Sequence, residues 1–238
     1  GNRVATVINN WIARTRNRSN LFYLQSDDMG KTWQTADGKN FVPPIREVHC
    51  PALVRDFWSE GLQVYVQHLT FDQQGRPAIL FLNSPAGQTN EGPGWPRIWR
   101  VAHWDGARWQ FRPVTTSGHN FDCGSLYIEE DGTWRIIGPT EPGPQLWRSG
   151  GEVVMWTSRD EGRTWKKFKQ LTRNSQHNHC YVRQPVNAHP DFYALWADGH
   201  GRDNTAPCPL YFCTKSGAVR VLPLAMETMF ASPTTLEQ

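Results

Sequence analysis

The sequence lacks the features that mark several large classes of protein. Its 238 residues carry 25 basic and 22 acidic side chains, a net charge of +3, so no nucleic acid partner is indicated. No long apolar run occurs and the mean hydropathy is −0.60, which excludes a membrane-spanning helix. The sequence also has no Rossmann glycine fingerprint, P-loop or nucleophile elbow, which argues against nucleotide cofactors and serine hydrolases.

Cysteine is scarce as well. The five cysteines are odd in number and form no C-x-x-C pair, so neither a zinc ribbon nor a full disulfide framework is indicated. Cys208 and Cys213 are close enough in sequence to pair across a short loop, and buried free thiols are the alternative. The first residues lack the charged and apolar segments of an export signal, so we expect any such signal to have been removed or never to have been part of this sequence.

Tryptophan, glycine and proline are abundant instead. The chain has 12 Trp, 20 Gly and 17 Pro, a mixture that serves long helices poorly and short strands with tight turns well. We therefore expect an all-β protein.

One octapeptide pattern, S-x-D-x-G-x-T-W, occurs at residues 26–33 and again at residues 158–165. Each copy follows a strand-like run, and the pattern is typical of a hairpin in which Asp bonds the turn and Gly takes a positive φ. It resembles the Asp box, or BNR repeat, of sialidase-like β-propellers. In that family the box is a structural hairpin remote from the active site.

Weaker hairpin signals separate further strand-like runs along the chain. The turn segments are residues 72–77, 104–106, 130–132 and 215–217. Grouped in fours, the strands predict about four blades of a β-propeller. The predicted modules are residues 1–48, 49–116, 117–173 and 174–238. We treat residues 1–238 as a single propeller domain.

Longer segments carry a closer resemblance, which covers most of residues 20–225. The segments are residues 51–56, 60–66, 124–129, 151–158, 178–190 and 196–202. Together they resemble the BNR-4 group of seven-bladed propellers. That group includes the α-L-rhamnosidases of glycoside hydrolase family 145 and the L-rhamnose-α-1,4-D-glucuronate lyases, with ulvan lyases as more distant relatives. The resemblance implies a seven-bladed ring whose N-terminal blades are missing here or come from a second chain. The sequence has no F-R-I-P motif, which disfavours a true sialidase.

The segment His177–Arg183 is the richest in polar groups. If it is a regular strand, His177, His179, Tyr181 and Arg183 share one face, because alternate residues point the same way. These residue types suit β-elimination beside a uronate. We expect His179 and Tyr181 to act as acid and base and Arg183 to hold the carboxylate. A satisfied hydrogen-bond network is the alternative.

Five further side chains are candidates for substrate binding, because they precede a predicted strand or lie in a nearby loop. They are His119, His177, His189, His200 and Arg202. A turn held by Asp198 is the alternative explanation for the segment that contains the last two. Loop tryptophans that can stack on a sugar ring are Trp58, Trp95 and Trp147.

The leading functional hypothesis is a secreted or periplasmic enzyme that cleaves a rhamnose–glucuronate linkage in a plant or algal polysaccharide by β-elimination. An α-L-rhamnosidase acting on arabinogalactan side chains and a non-catalytic glycan-binding propeller remain as alternatives. The expected partner is an oligo- or polysaccharide, with neither nucleic acid nor membrane. No cofactor is certain. Calcium is implied only by resemblance to relatives that hold this ion, since the sequence has no D-x-D-x-D loop.

Overall fold

The computed structural model describes residues 2–12, 17–87, 96–146, 148–200, 203 and 205–236. These residues form 18 β-strands joined by turns and loops, and they contain no helix. No helix that could cross a membrane is therefore found among them. The all-β prediction is confirmed.

The strands form four antiparallel sheets, and neighbouring strands follow one another along the chain except for the last strand of the first sheet. The first sheet holds β1 (Val4–Ile12), β2 (Asn17–Ser26), β3 (Trp33–Gln34), β4 (Asn40–Phe41) and β5 (Leu53–Arg55). The second holds β6 (Leu62–Phe71), β7 (Pro77–Pro85), β8 (Arg97–Trp104) and β9 (Trp109–Ser117). The third holds β10 (Ser125–Ile128), β11 (Trp134–Glu141), β12 (Glu152–Ser158) and β13 (Lys166–Gln170). The fourth holds β14 (His179–Arg183), β15 (Ala194–Asp198), β16 (Leu210–Cys213), β17 (Val219–Val221) and β18 (Thr234–Thr235).

The four sheets follow the four predicted modules except at β5. That strand was expected in the second module, but it pairs with β2 of the first sheet. The reason is the shortness of β3, which pairs with β2 only through Gln25 and Gln34. The edge of β2 at Leu21 and Phe22 is thus open, and β5 supplies its backbone partners.

The two repeated octapeptides both form the expected hairpin turn. Asp160 accepts hydrogen bonds from the backbone N–H of Thr164 at 2.9 Å and from the Ser158 hydroxyl at 2.7 Å. Gly162, at a φ of +77°, donates its N–H to the same hydroxyl at 2.9 Å. The first copy repeats this pattern around Asp28, and these hydrogen bonds lower the pKa of Asp28 to about 2. Each turn is therefore organised by its own carboxylate.

The chain divides into two compact units, residues 1–88 with 98–114, and residues 89–97 with 115–238. The core of the first unit is built on β2, β6 and β7, with Tyr23 and Phe81 among its buried side chains. The core of the second unit is built from strands of the third and fourth sheets, with Val153 and Trp196 among its buried side chains. The assignment of residues 1–238 to one propeller domain stays a prediction.

The five cysteines are free thiols. Cys123 and Cys213 are buried, whereas Cys208 is exposed. A bond between Cys208 and Cys213 is therefore not formed, and the alternative of buried free thiols holds for Cys123 and Cys213.

Candidate functional site

In each sheet of the second unit, the polar loops lie at one end of the sheet. In an antiparallel meander, the loop before the first strand and the loop between the second and third strands lie at the same end. In the third sheet the described residues of these loops are 118–124, 142–146 and 148–151, and in the fourth sheet they are 171–178, 199–200, 203 and 205–209. His119, His177 and His200 lie in these loops. The topology thus places three of the predicted side chains at the polar ends of two sheets.

Strand β14 does not have the regular alternation that was expected of it. Between Cys180 and Arg183 it carries one residue more than β15 opposite, and Tyr181 takes a φ of +56°. This bulge reverses the faces beyond it. His179 and Val182 are buried, whereas Tyr181 is 51% exposed and Arg183 is also exposed. The expectation that His179, Tyr181 and Arg183 share one face is therefore wrong.

Tyr181 and Arg183 instead form an exposed pair of their own. The guanidinium carbon of Arg183 lies 5.6 Å from the centre of the Tyr181 ring, the geometry of a cation–π contact. His177, the fourth member of the expected set, precedes the strand and is half-buried. The predicted acid–base and clamp roles of the strand residues stay predictions, but they no longer rest on a common face.

His179 lies at the centre of a hydrogen-bonded chain. Trp196 donates its indole N–H to His179 Nδ1 at 3.1 Å, so Nδ1 carries no proton. His179 Nε2 then donates to the Ser175 hydroxyl at 2.9 Å, and this hydroxyl donates to Glu152 at 2.8 Å. Burial lowers the pKa of His179 to about 4, against the opposing effect of Glu152. His179 is thus a neutral imidazole with both nitrogens bonded.

Glu152 anchors the loop that precedes β14. Its carboxylate accepts from the Thr172 hydroxyl, and from the Ser175 backbone N–H at 2.9 Å. A buried carboxylate needs several donors to offset the loss of water. The loop of residues 171–178 is therefore held at both ends, by Glu152 and by the pairing of His179 with Gly151.

An open cleft of about 560 Å³ lies beside this chain of hydrogen bonds. We call it the His177 cleft; its wall includes Arg173, His177, His179, Asp198 and Tyr211. The His177 ring meets the exposed His200 ring edge to face, with centres 5.9 Å apart. Arg173 is exposed and has no ion-pair partner within the described ranges. The cleft therefore combines an accessible imidazole with an available guanidinium.

A second buried polar cluster precedes β10. Asp122 accepts hydrogen bonds from the backbone N–H groups of Gly150 at 2.6 Å and His119 at 2.7 Å. Burial nevertheless raises the pKa of Asp122 to about 7. Arg97, which is 1% exposed, donates to the side chain of Asn120 at 3.1 Å. His119 is 6% exposed, so it belongs to the interior of this cluster and not to an open surface.

Described residues between β11 and β12 connect the two polar regions. Gly151 and His179 exchange two backbone hydrogen bonds of 3.0 Å. Asn178 donates to the carbonyls of Gln145 and Gly150 at 3.0 and 3.3 Å. A Cβ atom at Gly150 would lie 2.2 Å from the carbonyl oxygen of His179, so only glycine fits this approach.

Sequence reasoning missed several polar residues of these networks, notably Glu152, Ser175 and Arg97. The only signal for Glu152 and Arg97 was a polar side chain at the start of a strand-like run, and Ser175 lies in a loop and carried no signal. Of the other predicted residues, His189 is exposed in the β14–β15 loop, at the opposite end of the sheet from His177. Arg202 lies outside the described residues, as do Trp95 and Trp147; Trp58 is described and is 38% exposed.

The described residues do not fit the calcium ion that the family resemblance implied. In the part of the chain that the structure describes, no group of three or more His, Cys, Asp or Glu side chains is placed to hold a metal ion. Hard cations such as calcium need six or more oxygen ligands.

Comparison with known proteins gives a family match over part of the chain and a shared fold. Residues 7–117 match a family described as "BNR repeat-containing family member". A solved ulvan lyase of polysaccharide lyase family PL25 superposes with a TM-score of 0.73 at 17% identity, covering 92% of this chain and 51% of its own. The same lyase bound to -[GlcA(1-4)Rha3S]- gives 0.71 at 17% identity, with the same coverage. A protein of unknown function from Dyadobacter fermentans gives 0.56 at 15% identity, covering 99% of this chain and 61% of its own. No curated protein gives a significant match.

These comparisons confirm the resemblance to the BNR-4 group and the fold class, an all-β propeller-like fold, here built of antiparallel sheets of four or five strands. The chain spans about half the length of the ulvan lyase that it matches. At 17% identity the likeness to that lyase establishes the fold alone.

Proposed function

We propose that the protein is a polysaccharide lyase that cleaves a rhamnose–glucuronate linkage in a plant or algal polysaccharide by β-elimination. The observation that carries the proposal is the His177 cleft, in which an accessible imidazole and an available guanidinium line one wall. The propeller fold that this chain shares with an ulvan lyase over 92% of its length supports it. A secreted or periplasmic location is part of the proposal, since such substrates lie outside the cell.

Elimination needs a cation at the carboxylate and a base at the neighbouring carbon. In our proposal the Arg173 guanidinium holds the uronate carboxylate through two parallel hydrogen bonds. It thereby stabilises the negative charge that develops when the C5 proton leaves. Arg173 is suited to this role because it lines the cleft and has no carboxylate partner among the described side chains.

His177 is the proposed base. It takes the proton from C5, the C5–H electron pair forms the C4–C5 double bond, and the C4–O bond breaks. In glucuronate the C5 hydrogen and the C4 oxygen lie on the same side of the ring, so the imidazolium can return the proton to the departing oxygen. The products are an unsaturated uronate and a free rhamnose hydroxyl, and no other reactant is needed.

His179 has a positioning role in this scheme. Both of its ring nitrogens are bonded within the protein, to Trp196 and Ser175, so neither is free to take a substrate proton. The proposal thus moves the reactive roles from His179, Tyr181 and Arg183 to the neighbouring His177 and Arg173.

The test is to incubate the protein at its natural length with ulvan and with rhamnose-capped arabinogalactan, following ultraviolet absorbance and free rhamnose together. Rising absorbance reports the conjugated unsaturated uronate and supports the lyase. Free rhamnose without absorbance contradicts the lyase and identifies an α-L-rhamnosidase. Binding of either glycan with neither signal leaves a glycan-binding propeller.

A further inference from the structure

Asp198 is a buried carboxylate that the proposed reaction does not use. It ends strand β15, pairs in register with His179, and is 6% exposed in the wall of the His177 cleft. Its Oδ2 atom accepts a hydrogen bond from the Tyr211 hydroxyl at 3.1 Å. Its Oδ1 atom is buried without any hydrogen-bond partner, and among the described residues no other carboxylate oxygen is in that condition.

An unpartnered buried carboxylate oxygen is costly, because a charged acceptor loses water and gains nothing in return. The neighbouring Glu152 shows the usual arrangement, with both of its oxygens bonded to donors from the protein. Burial raises the pKa of Asp198 even though Tyr211 and His177 act in the opposite direction. A donor from outside the described chain would relieve this cost.

The residues around Asp198 indicate which kind of ligand could donate this hydrogen bond. Tyr211 lines the same cleft and stacks against Trp196, with ring centres 6.1 Å apart and planes 8° apart. An aromatic side chain and a carboxylate acceptor in one cleft suit a pyranose, which presents hydroxyl donors around an apolar ring. An anionic group at this point would be repelled by the carboxylate.

We propose that Asp198 is a saccharide-binding residue, and that a free hydroxyl group of a sugar in the His177 cleft donates a hydrogen bond to its Oδ1 atom. This inference rests on the proposed function, because it takes a glycan as the ligand. It adds a specificity: the sugar at this position carries an unmodified hydroxyl. A sulfate ester there replaces the donor with a negative charge and is rejected.

The experiment compares Asp198→Asn with a matched control, Asp131→Asn. Asp131 is an exposed carboxylate in the β10–β11 hairpin, at the other end of its sheet from the polar loops. Both changes are made in the protein at its natural length and in a His177→Ala background, so that the sugar is not cleaved. Calorimetry measures the dissociation constant for desulfated ulvan oligosaccharides, and thermal unfolding checks that each variant folds.

We expect Asp198→Asn to weaken binding about tenfold or more, the usual loss for a hydrogen bond to a charged group, while Asp131→Asn leaves it unchanged. Equal binding by the two variants overturns this inference alone. Absence of binding by the Asp131→Asn protein overturns the proposed function, and this inference with it.

A ligand-side measurement keeps the inference testable if Asp198→Asn does not fold. Oligosaccharides methylated at one hydroxyl at a time are titrated into protein that retains Asp198. We expect one methyl ether to bind about tenfold more weakly than the rest, because it lacks the donor. If every ether binds equally well, Asp198 does not receive a sugar hydroxyl.

Discussion

Replacement of Gly150 by alanine should damage the polar end of the second unit more than its small size suggests. Gly150 has a φ of +88°, and an added Cβ atom would lie 2.2 Å from the carbonyl oxygen of His179. That oxygen accepts the N–H of Gly151, and the N–H of Gly150 itself donates to Asp122. The methyl group therefore has to displace backbone on both sides of the contact.

The expected loss has two parts. A left-handed conformation costs a non-glycine residue about 1–2 kcal/mol. Gly132 isolates this part, because it has a φ of +79° and a Cβ atom there would have no neighbour within 4 Å. At Gly150 the clash adds the loss of the hydrogen bonds to Asp122 and between Gly151 and His179. Each hydrogen bond contributes about 1 kcal/mol to stability, and a buried carboxylate left without its donor lowers stability by more than that. We expect about 4 kcal/mol in total.

The assay is denaturant unfolding of Gly150→Ala and Gly132→Ala, with hydrogen exchange at the His179 amide as a local probe. We expect Gly132→Ala to lower the free energy of unfolding by about 1–2 kcal/mol without changing exchange at His179. Gly150→Ala should lower the free energy further and speed that exchange. If the two variants lose equal stability and keep equal protection at His179, the close approach at Gly150 does not hold the loop to β14.

Three further predictions concern the site and its supports. His177→Ala should lower the rate of ulvan cleavage by about 100-fold or more, as expected for loss of a general base, whereas Arg183→Ala should stay within a fewfold of the native rate; the reverse order would restore the clamp role of Arg183. Because burial lowers the pKa of His179 to about 4, below its ordinary 6.5, the unfolded state binds more protons between these values. His179 should therefore contribute a fall of roughly 3 kcal/mol in the free energy of unfolding from pH 6.5 to pH 4. Asp122, with its pKa raised to about 7, acts in the opposite direction, so the contribution is measured as the difference between the native protein and His179→Gln; equal pH profiles for the two proteins would refute the assignment. Glu129→Gln breaks a buried ion pair with Arg135 of 2.7 Å and should cost about 3 kcal/mol in chemical unfolding, whereas a loss below about 0.5 kcal/mol would show the pair to be dispensable.

The features that the sequence predicted are those encoded locally. Within each octapeptide, Asp28 or Asp160 accepts hydrogen bonds from groups only two to four residues away. The octapeptide therefore includes all the residues that form these hydrogen bonds. The same holds for the other hairpins, where a glycine-containing turn lies between two strand-like runs. The position of β5 was not predictable in this way, since it depends on how much of β2 the short β3 leaves unpaired.

The hydrogen-bonded interior of the site could not be predicted from the sequence, for a related reason. The bulge at Tyr181 is defined by the register of β14 against β15, a pairing between residues far apart in the chain. One extra residue was enough to separate His179 from Arg183, because strand faces alternate with a period of two. The Glu152–Ser175–His179 chain likewise joins two loops that only the antiparallel topology brings together.

The histidines of the second unit differ in burial, and burial decides which chemical role each of them can have. His119 and His179 are the more deeply buried, and the hydrogen bonds of their loops fix the ends of the third and fourth sheets. His177 keeps part of its ring at the cleft and is free to meet a ligand. A reactive group needs access to its substrate, and a positioning group needs full hydrogen bonding, so one side chain rarely serves both needs. In the proposed mechanism, the segment His177–His179 meets both needs by placing the two roles two residues apart, with His177 before β14 and His179 at its start.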